Sequence, residues 1–139
     1  MLVRHVSRVL AALAAVALLP GCANRESPIN KRPHSGTAVA SDIGGIQQVV
    51  IRSGLDLRFH PSTIIVHPGR VRIVLVNTAN PGAGPPHDLQ VHDVPRADVP
   101  LATAGQVQSV TFTAPAPGTY SFICSIHVNQ GQTGKMIVR

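Results

Sequence analysis

Near its C-terminus the chain reads Tyr120-Ser-Phe-Ile-Cys124-Ser-Ile-His127-Val-Asn-Gln-Gly-Gln132-Thr-Gly-Lys-Met136, an alternating strand followed by a tight loop with a thiol and an imidazole. Alternate side chains of a strand face opposite sides, so Tyr120, Phe122 and Cys124 share one face. The two aromatic side chains predict that this face is the inward one. Cys124 is therefore expected to leave the strand from its buried side, with His127 close by on the loop.

A second imidazole stands upstream, where Pro85-Pro86-His87-Asp88 opens another alternating run. The alternation places His87 on the inward face of that strand and Asp88 on the outward face. His87 and Cys124 thus both leave inward faces at strand ends, and the loop can bring His127 to them. Two His and one Cys form the ligand set of a trigonal copper site with a weak axial fourth ligand. The sequence therefore predicts one copper ion per domain.

The rest of the chain from residue 47 onward predicts an all-β domain. Short apolar or alternating runs are separated by Gly and Pro, and no helical period of useful length occurs. Seven or eight short strands predict a single β-sandwich, and with no Trp its core must consist mostly of Val, Ile and Leu. Residues 96–105 are expected to be irregular. The predicted strands cover residues 49–52, 57–59, 63–66, 71–76, 87–91, 107–113, 119–124 and 135–139.

Composition excludes several classes of protein. With 44% hydrophobic and 13% charged residues in 139, the chain suits one compact domain and argues against disorder. The formal charge of +6 falls to +4 once Arg4 and Arg8 are removed with the leader described next. Without Lys/Arg runs or interleaved aromatic residues, this charge indicates a soluble basic surface and no binding of nucleic acid.

The N-terminus has the pattern of an export signal. Arg4 and Arg8 precede an apolar stretch of eleven residues, 9–19. This stretch is too short to span a membrane as a helix. It ends in Leu-Pro-Gly-Cys22, which resembles a bacterial lipoprotein signal in which Cys22 is lipidated. The alternative is an ordinary signal peptide with an incidental Cys. We expect residues 1–21 to be the signal, 22–46 a flexible tether and 47–139 the folded domain.

This assignment also bears on the two cysteines. An exported protein with two Cys invites a disulfide, but a lipidated Cys22 would leave Cys124 without a partner in the chain. A lone thiol in an oxidising compartment is exposed to oxidation unless it is occupied. A bound copper ion would be a sufficient occupant.

A family resemblance covers nearly all of residues 47–139. The domain resembles a cupredoxin of the plastocyanin and pseudoazurin type. The resemblance implies a Greek-key β-sandwich with copper buried under one end, and it implies His87, Cys124 and His127 as the equatorial ligands. The motifs that carry it are Phe59-x-Pro61-x-x-Ile64-x-Val66-x-x-Gly69, Pro86-His87-Asp88, Pro117-Gly118-x-Tyr120-x-Phe122-x-Cys124-x-x-His127 and Gly131-x-x-Gly134-Lys135.

The chain departs from the family pattern at the axial ligand. The common loop has Met five residues after its second His, and here that position is Gln132. Gln132 resembles the stellacyanin arrangement, in which an amide oxygen replaces the thioether and favours Cu(II). Met136, in the last strand, is expected to be a core residue. The alternatives are Met136 or Gln130 as the axial ligand, or a site with no axial ligand.

Two further departures concern the surroundings of the copper. Asp88 stands where the family often has Asn, which leaves open whether the usual hydrogen bond behind the ligands forms. Ile123 and Ile126 replace the Tyr and Pro common in plastocyanin, so transfer through an exposed Tyr is not expected. The expected contact for a redox partner is the apolar end around residues 81–86 and Ile126, over His127.

These features predict a monomeric, membrane-anchored one-electron carrier rather than an enzyme. It is expected at the outer face of the bacterial cytoplasmic membrane or in the periplasm. The alternative function is copper handling by a carrier or storage module, and zinc bound by one Cys and two His is chemically possible. Four further histidines are expected to be solvated: His34, His60, His67 and His92.

Overall fold

The computed structural model describes residues 35–139 of the chain. The predicted signal segment, the predicted lipidation site Cys22, His34 and most of the predicted tether lie outside the described residues. Among residues 35–139, no helix is long and apolar enough to cross a membrane.

The described residues form ten strands in two sheets. The six-stranded sheet has the order β1-β4-β10-β9-β6-β7, and the four-stranded sheet has the order β2-β3-β5-β8. The strands are β1 (Thr37–Val39), β2 (Ser41–Ile43), β3 (Ile46–Ser53), β4 (Thr63–Val66), β5 (Arg70–Asn77), β6 (His87–Val91), β7 (Val99–Ala102), β8 (Val107–Thr113), β9 (Gly118–Ile123) and β10 (Thr133–Val138).

Alternation of side chains explains how the sheets meet. In β5, Val71, Ile73 and Leu75 are fully buried, and the residues between them are partly exposed. The inward residues of both sheets form one hydrophobic cluster dominated by Val, Ile and Leu. Burial of each such side chain contributes roughly 1.5–3 kcal/mol. The predicted all-β sandwich and its aliphatic core are confirmed.

Two aromatic residues and one glycine pack closely in the core. The rings of Phe59 and Phe122 meet edge to face, with centroids 5.3 Å apart. Gly134 lies opposite Phe122 in the neighbouring strand. A Cβ at Gly134 would lie 2.3 Å from Cε2 of Phe122 and 2.5 Å from the carbonyl oxygen of Ser62, so only glycine lets these strands approach.

The structure has more strands than the seven or eight predicted, and ordered structure begins before residue 47. β2 and β3 form a hairpin through Gly44 and Gly45, which both have positive φ (63° and 81°) as a tight two-residue turn requires. β1 pairs in parallel with the edge of β4. β1 and β2 have only three residues each, too few to show a period in the sequence.

Two local predictions were wrong. Residues 96–105, predicted to be irregular, contain β7, in which Pro100 and Leu101 are both exposed, so that no alternation marks the strand. Residues 57–59, predicted as a strand, form a loop that follows a turn instead. Leu57 has a positive φ of 53° and donates its backbone N–H to the carbonyl of Gly54.

Candidate metal centre

Two neighbouring strands and one loop bring the predicted ligands together at one end of the sandwich. His87 is the first residue of β6, and Cys124 follows the last residue of β9. β6 and β9 are antiparallel neighbours that pair Gln90 with Ile123, so the start of β6 runs past the end of β9 toward the residues that follow Ile123. His127 lies in the turn before a short 3-10 helix, Val128–Gln130. The ligand atoms of His87, Cys124 and His127 all lie within 4.8 Å of one another, and all three residues are buried.

Backbone hydrogen bonds hold the loop from Cys124 to Gln132 closed. The N–H of Cys124 donates to the carbonyl of Gln132 at 3.0 Å, and the N–H of Gln132 donates to the carbonyl of His127 at 3.2 Å. Gly131 turns the chain into β10 with a left-handed φ of 82°. Nη1 of Arg58 donates to the carbonyl of Gly131 at 2.7 Å, which ties the loop to a segment from the other side of the site.

The contacts of His87 determine which of its ring nitrogens is available as a ligand. Nε2 lies 3.1 Å from the carbonyl oxygen of Gly54. A carbonyl can only accept, so Nε2 carries the hydrogen and Nδ1 of a neutral ring presents its lone pair. Burial, assisted by the nearby His127, lowers the pKa of His87 below the usual value for histidine. The ring therefore favours the neutral form that binds metals.

The thiol of Cys124 is the sulfur donor atom of the site, and it is buried. Its Sγ lies 3.5 Å from Nδ1 of His127. Burial raises the pKa of Cys124 above the usual value for a thiol, although backbone N–H groups of Asp88, Ile126 and His127 act in the opposite direction. The metal-free site therefore holds a neutral thiol at neutral pH. Metal binding would release this proton, because the thiolate is the ligand form.

Gln132 is fully buried, and its side-chain amide faces the same space. Oε1 lies 3.1 Å from Nδ1 of His87, and Nε2 donates to Oγ of Ser53 at 2.6 Å. Both Oε1 and Nδ1 are acceptors once Nε2 of His87 carries the ring hydrogen. Two buried acceptors that face each other repel, and a cation between them would interact favourably with both. These polar atoms therefore suit a metal ion.

Met136 lies in the core, away from the three donors. It pairs with Tyr120 and Ile64 in the neighbouring strands and belongs to the buried hydrophobic cluster. Four residues of strand separate it from Gln132, which corresponds to about 13 Å along β10. A methionine side chain does not span that distance.

We therefore expect Met136→Leu to leave the reduction potential of the metal-loaded protein nearly unchanged. The swap conserves volume and polarity in the core, so it should cost less than about 1.5 kcal/mol of unfolding free energy. Cyclic voltammetry and chemical denaturation check the two parts. A large change of potential would contradict the core position of Met136 and make it the axial candidate.

Asp88 is more buried than its outward position in β6 predicted. Its exposure is 9%, because Ser125 of the ligand loop covers it. Oδ1 of Asp88 accepts the backbone N–H of Ser125 at 2.7 Å, and Oδ2 accepts the hydroxyl of Ser125 at 2.6 Å. Asp88 thus ties the strand of His87 to the loop of Cys124, and the hydrogen bond that the sequence left open is present.

The sequence did not single out Ser53, Gly54, Arg58 or Ser125 as part of this site. Ser53, the last residue of β3, contacts Gln132, which is 79 residues away in the chain. Gly54, the next residue, contacts His87, which is 33 residues away. No local pattern marks such contacts. Ser125 lies between Cys124 and His127 in the sequence. Its place inside the Cys-x-x-His motif is the one signal that could have indicated its role.

The remaining described histidines lie on the surface, as predicted. His60, His67 and His92 are exposed. His60 contacts the carboxylate of Asp56 at 2.6 Å, and His67 contacts the backbone carbonyl of Arg139. None of the three belongs to the cluster of donor atoms.

Apolar side chains surround the ligand end. Ile126, next to His127, is 47% exposed. Leu55 is 70% exposed and lies beside Gly84 of the Pro-rich loop before His87. Leu55 therefore lies beside the loop that the sequence predicted as part of an apolar contact surface.

The fold and the site define a β-sandwich with a buried Cys and two His at one end. Comparison with protein families matches residues 11–138 to the cupredoxin-like domain. The chain belongs to this family.

Auracyanins are among the similar proteins. Auracyanin-A of Chloroflexus aurantiacus is 37% identical over 65 residues, which span 45% of this chain and 40% of that protein. The match thus covers less than half of the length of this relative. Among solved structures, auracyanin A of Chloroflexus aurantiacus, described as a "blue" copper protein, is 25% identical with a TM-score of 0.58 and covers 68% of this chain and 100% of its own. Reduced auracyanin of Roseiflexus castenholzii has a TM-score of 0.57 at 24% identity, covers 76% of this chain and 98% of its own, and shows likeness of fold.

Proposed function

We propose that this protein is a mononuclear type 1 copper protein that carries one electron at a time outside the cytoplasm. His87, Cys124 and His127 are the equatorial ligands and Gln132 is the axial ligand. The observation that carries the proposal is the convergence of three buried donor atoms within 4.8 Å, one soft thiol and two imidazoles. The description of auracyanin A as a "blue" copper protein supports the choice of copper.

The chain's own contacts suit electron transfer. When bound, copper would supply a Cu(I)/Cu(II) couple. His87 is held by Gly54, Asp88 bridges to Ser125, and Arg58 secures Gly131, so the ligand groups are fixed from three directions. A site whose ligands are held in place changes little between oxidation states, which keeps the reorganisation energy of electron transfer small.

The route for the electron leads through the apolar end. His127 is almost fully buried, and its neighbour in the chain, Ile126, is exposed. Leu55 adds a second exposed apolar side chain. We propose that a redox partner protein docks on this surface, over His127. A small contact area suits the short-lived complexes that a carrier needs.

Metal analysis and spectroscopy of the purified protein test this function. We expect one copper per chain, an intense thiolate-to-copper absorption in the visible region and a type 1 electron paramagnetic resonance spectrum. Fast electron self-exchange with slow copper loss to a chelator supports a carrier of electrons. Slow self-exchange with fast copper transfer would instead support copper handling.

We further propose that lipidated Cys22 anchors the domain at the outer face of the bacterial cytoplasmic membrane. Cys22→Ser should move the protein from the membrane fraction to the soluble exported fraction, or stall its processing, because acyl chains contribute about 0.8 kcal/mol per buried methylene. Fractionation and mass determination of the mature N-terminus check this. A wild-type protein that is soluble and begins at another residue contradicts lipidation, and Ser27→Ala is the matched control.

A further inference from the structure

The end of β3 contacts two of the residues that face the metal position. Its last residue, Ser53, accepts a hydrogen bond from Nε2 of Gln132 at 2.6 Å, and the next residue, Gly54, accepts one from His87 at 3.1 Å. Ser53 is almost fully buried. Its own position is secured because Thr78 donates both its backbone N–H and its hydroxyl to the carbonyl of Ser53.

The amide of Gln132 can serve the site in only one of its two orientations. With Nε2 on Ser53, Oε1 faces Nδ1 of His87 at 3.1 Å and can act as a ligand. In the reverse orientation the NH₂ group would point inward. It would donate to Nδ1 of His87 and close the site, since an amide NH₂ has no lone pair to offer a metal.

We propose that Ser53 is the residue that orients the Gln132 amide with its oxygen toward the metal. In the metal-loaded protein the cation favours Oε1 facing inward, and the hydroxyl of Ser53 then accepts a hydrogen bond from the buried NH₂ group. Without that acceptor, this orientation leaves a buried donor unpaired, which weakens the axial interaction of the amide oxygen. Ser53 is thus a positioning residue that sets the axial interaction. This role rests on the proposed axial assignment of Gln132.

A double-mutant cycle of the full-length, copper-loaded protein tests the role of Ser53. Ser53→Ala should raise the reduction potential and change the electron paramagnetic resonance spectrum, in the same direction as Gln132→Met but by less. In the Gln132→Met background, Ser53→Ala should add no shift, because no amide remains to be oriented. Ser53→Thr keeps the hydroxyl and should restore the wild-type potential. The matched control is Ser62→Ala, at a buried serine whose hydroxyl has no hydrogen-bond partner among the described residues.

The Cu(I) form, which is diamagnetic, gives an independent readout. Proton–nitrogen correlation spectra should show a side-chain NH₂ signal of Gln132 that exchanges slowly with water, and Ser53→Ala should accelerate that exchange at least tenfold. If Ser53→Ala does not fold, Ser53→Cys supplies the comparison, because sulfur is a weak acceptor.

The outcomes separate this inference from the proposed function. If Gln132→Met shifts the potential and Ser53→Ala changes neither the potential nor the amide exchange, Ser53 has no orienting role and the axial assignment stands. If Gln132→Met shifts nothing, the axial assignment fails and the role of Ser53 fails with it. Equal shifts from Ser53→Ala in both backgrounds would also overturn the inference, because the effect would then not pass through the amide.

Discussion

Replacing Cys124 by alanine is expected to abolish the visible absorption of the copper-loaded protein and to reduce its copper content to background. The intense colour of a type 1 site comes from charge transfer between the thiolate and the copper, and Cys124 is the single cysteine among the described residues. Two neutral imidazoles and an amide remain, which bind copper less tightly and give no such band. Absorption spectra and metal analysis of the purified variant measure both effects.

The fold should survive this substitution. The side chain of Cys124 is a small group in the hydrophobic cluster, so its removal should cost on the order of 1 kcal/mol. His92→Asn, at an exposed position outside the donor cluster, is the matched control and should keep full colour. Retained colour in Cys124→Ala, or loss of colour in His92→Asn, would contradict the ligand assignment.

The sandwich could be predicted because its principal strands are amphipathic or wholly apolar. β5 and β8 carry their pattern over seven or eight residues, long enough to show which side is buried. β1 and β2 are short and acquire their structure from partners in β4 and β3, which no local pattern encodes. The Gly44-Gly45 pair is typical of a two-residue hairpin turn, and the prediction of a flexible tether up to residue 46 did not take it into account.

The ligand cluster could be predicted for a similar reason. Cys124 and His127 are three residues apart, and strand parity alone places His87 and Cys124 on buried faces. The contacts that orient these groups come from distant parts of the chain. Arg58 and Gly131 are 73 residues apart, and Ser53 and Gln132 are 79 apart. Such contacts depend on which strands become neighbours, so they follow from the tertiary structure and not from spacing.

Strand alternation predicts the face on which Asp88 lies but not how deeply it is buried. The alternation of β6 correctly separates Asp88 from His87, but an outward side chain is not always a solvated one. Ser125 covers the carboxylate because the ligand loop folds back over β6. Parity predicts the face, whereas burial depends on what the next loop places on that face.

Replacing Gln132 by methionine is expected to raise the reduction potential. The amide oxygen is a harder donor than a thioether and stabilises Cu(II) more, so its loss favours Cu(I). In a one-electron couple about 59 mV corresponds to about 1.4 kcal/mol, and we expect an increase of at least roughly that size. Cyclic voltammetry measures it, with Met136→Leu as the matched control because that residue lies in the core.

The reason to expect the effect at Gln132 rather than at Met136 is the position of the two side chains. Oε1 of Gln132 lies 3.1 Å from Nδ1 of His87, whereas Met136 pairs with Tyr120 further along β10. Methionine at position 132 has nearly the same length as glutamine, so it can offer sulfur where the amide offered oxygen. An unchanged potential in Gln132→Met, together with an unchanged electron paramagnetic resonance spectrum, would mean that the copper has three ligands and that Gln132 only packs beside it. A large shift from Met136→Leu alone would place the axial donor in β10 and contradict the axial role of Gln132.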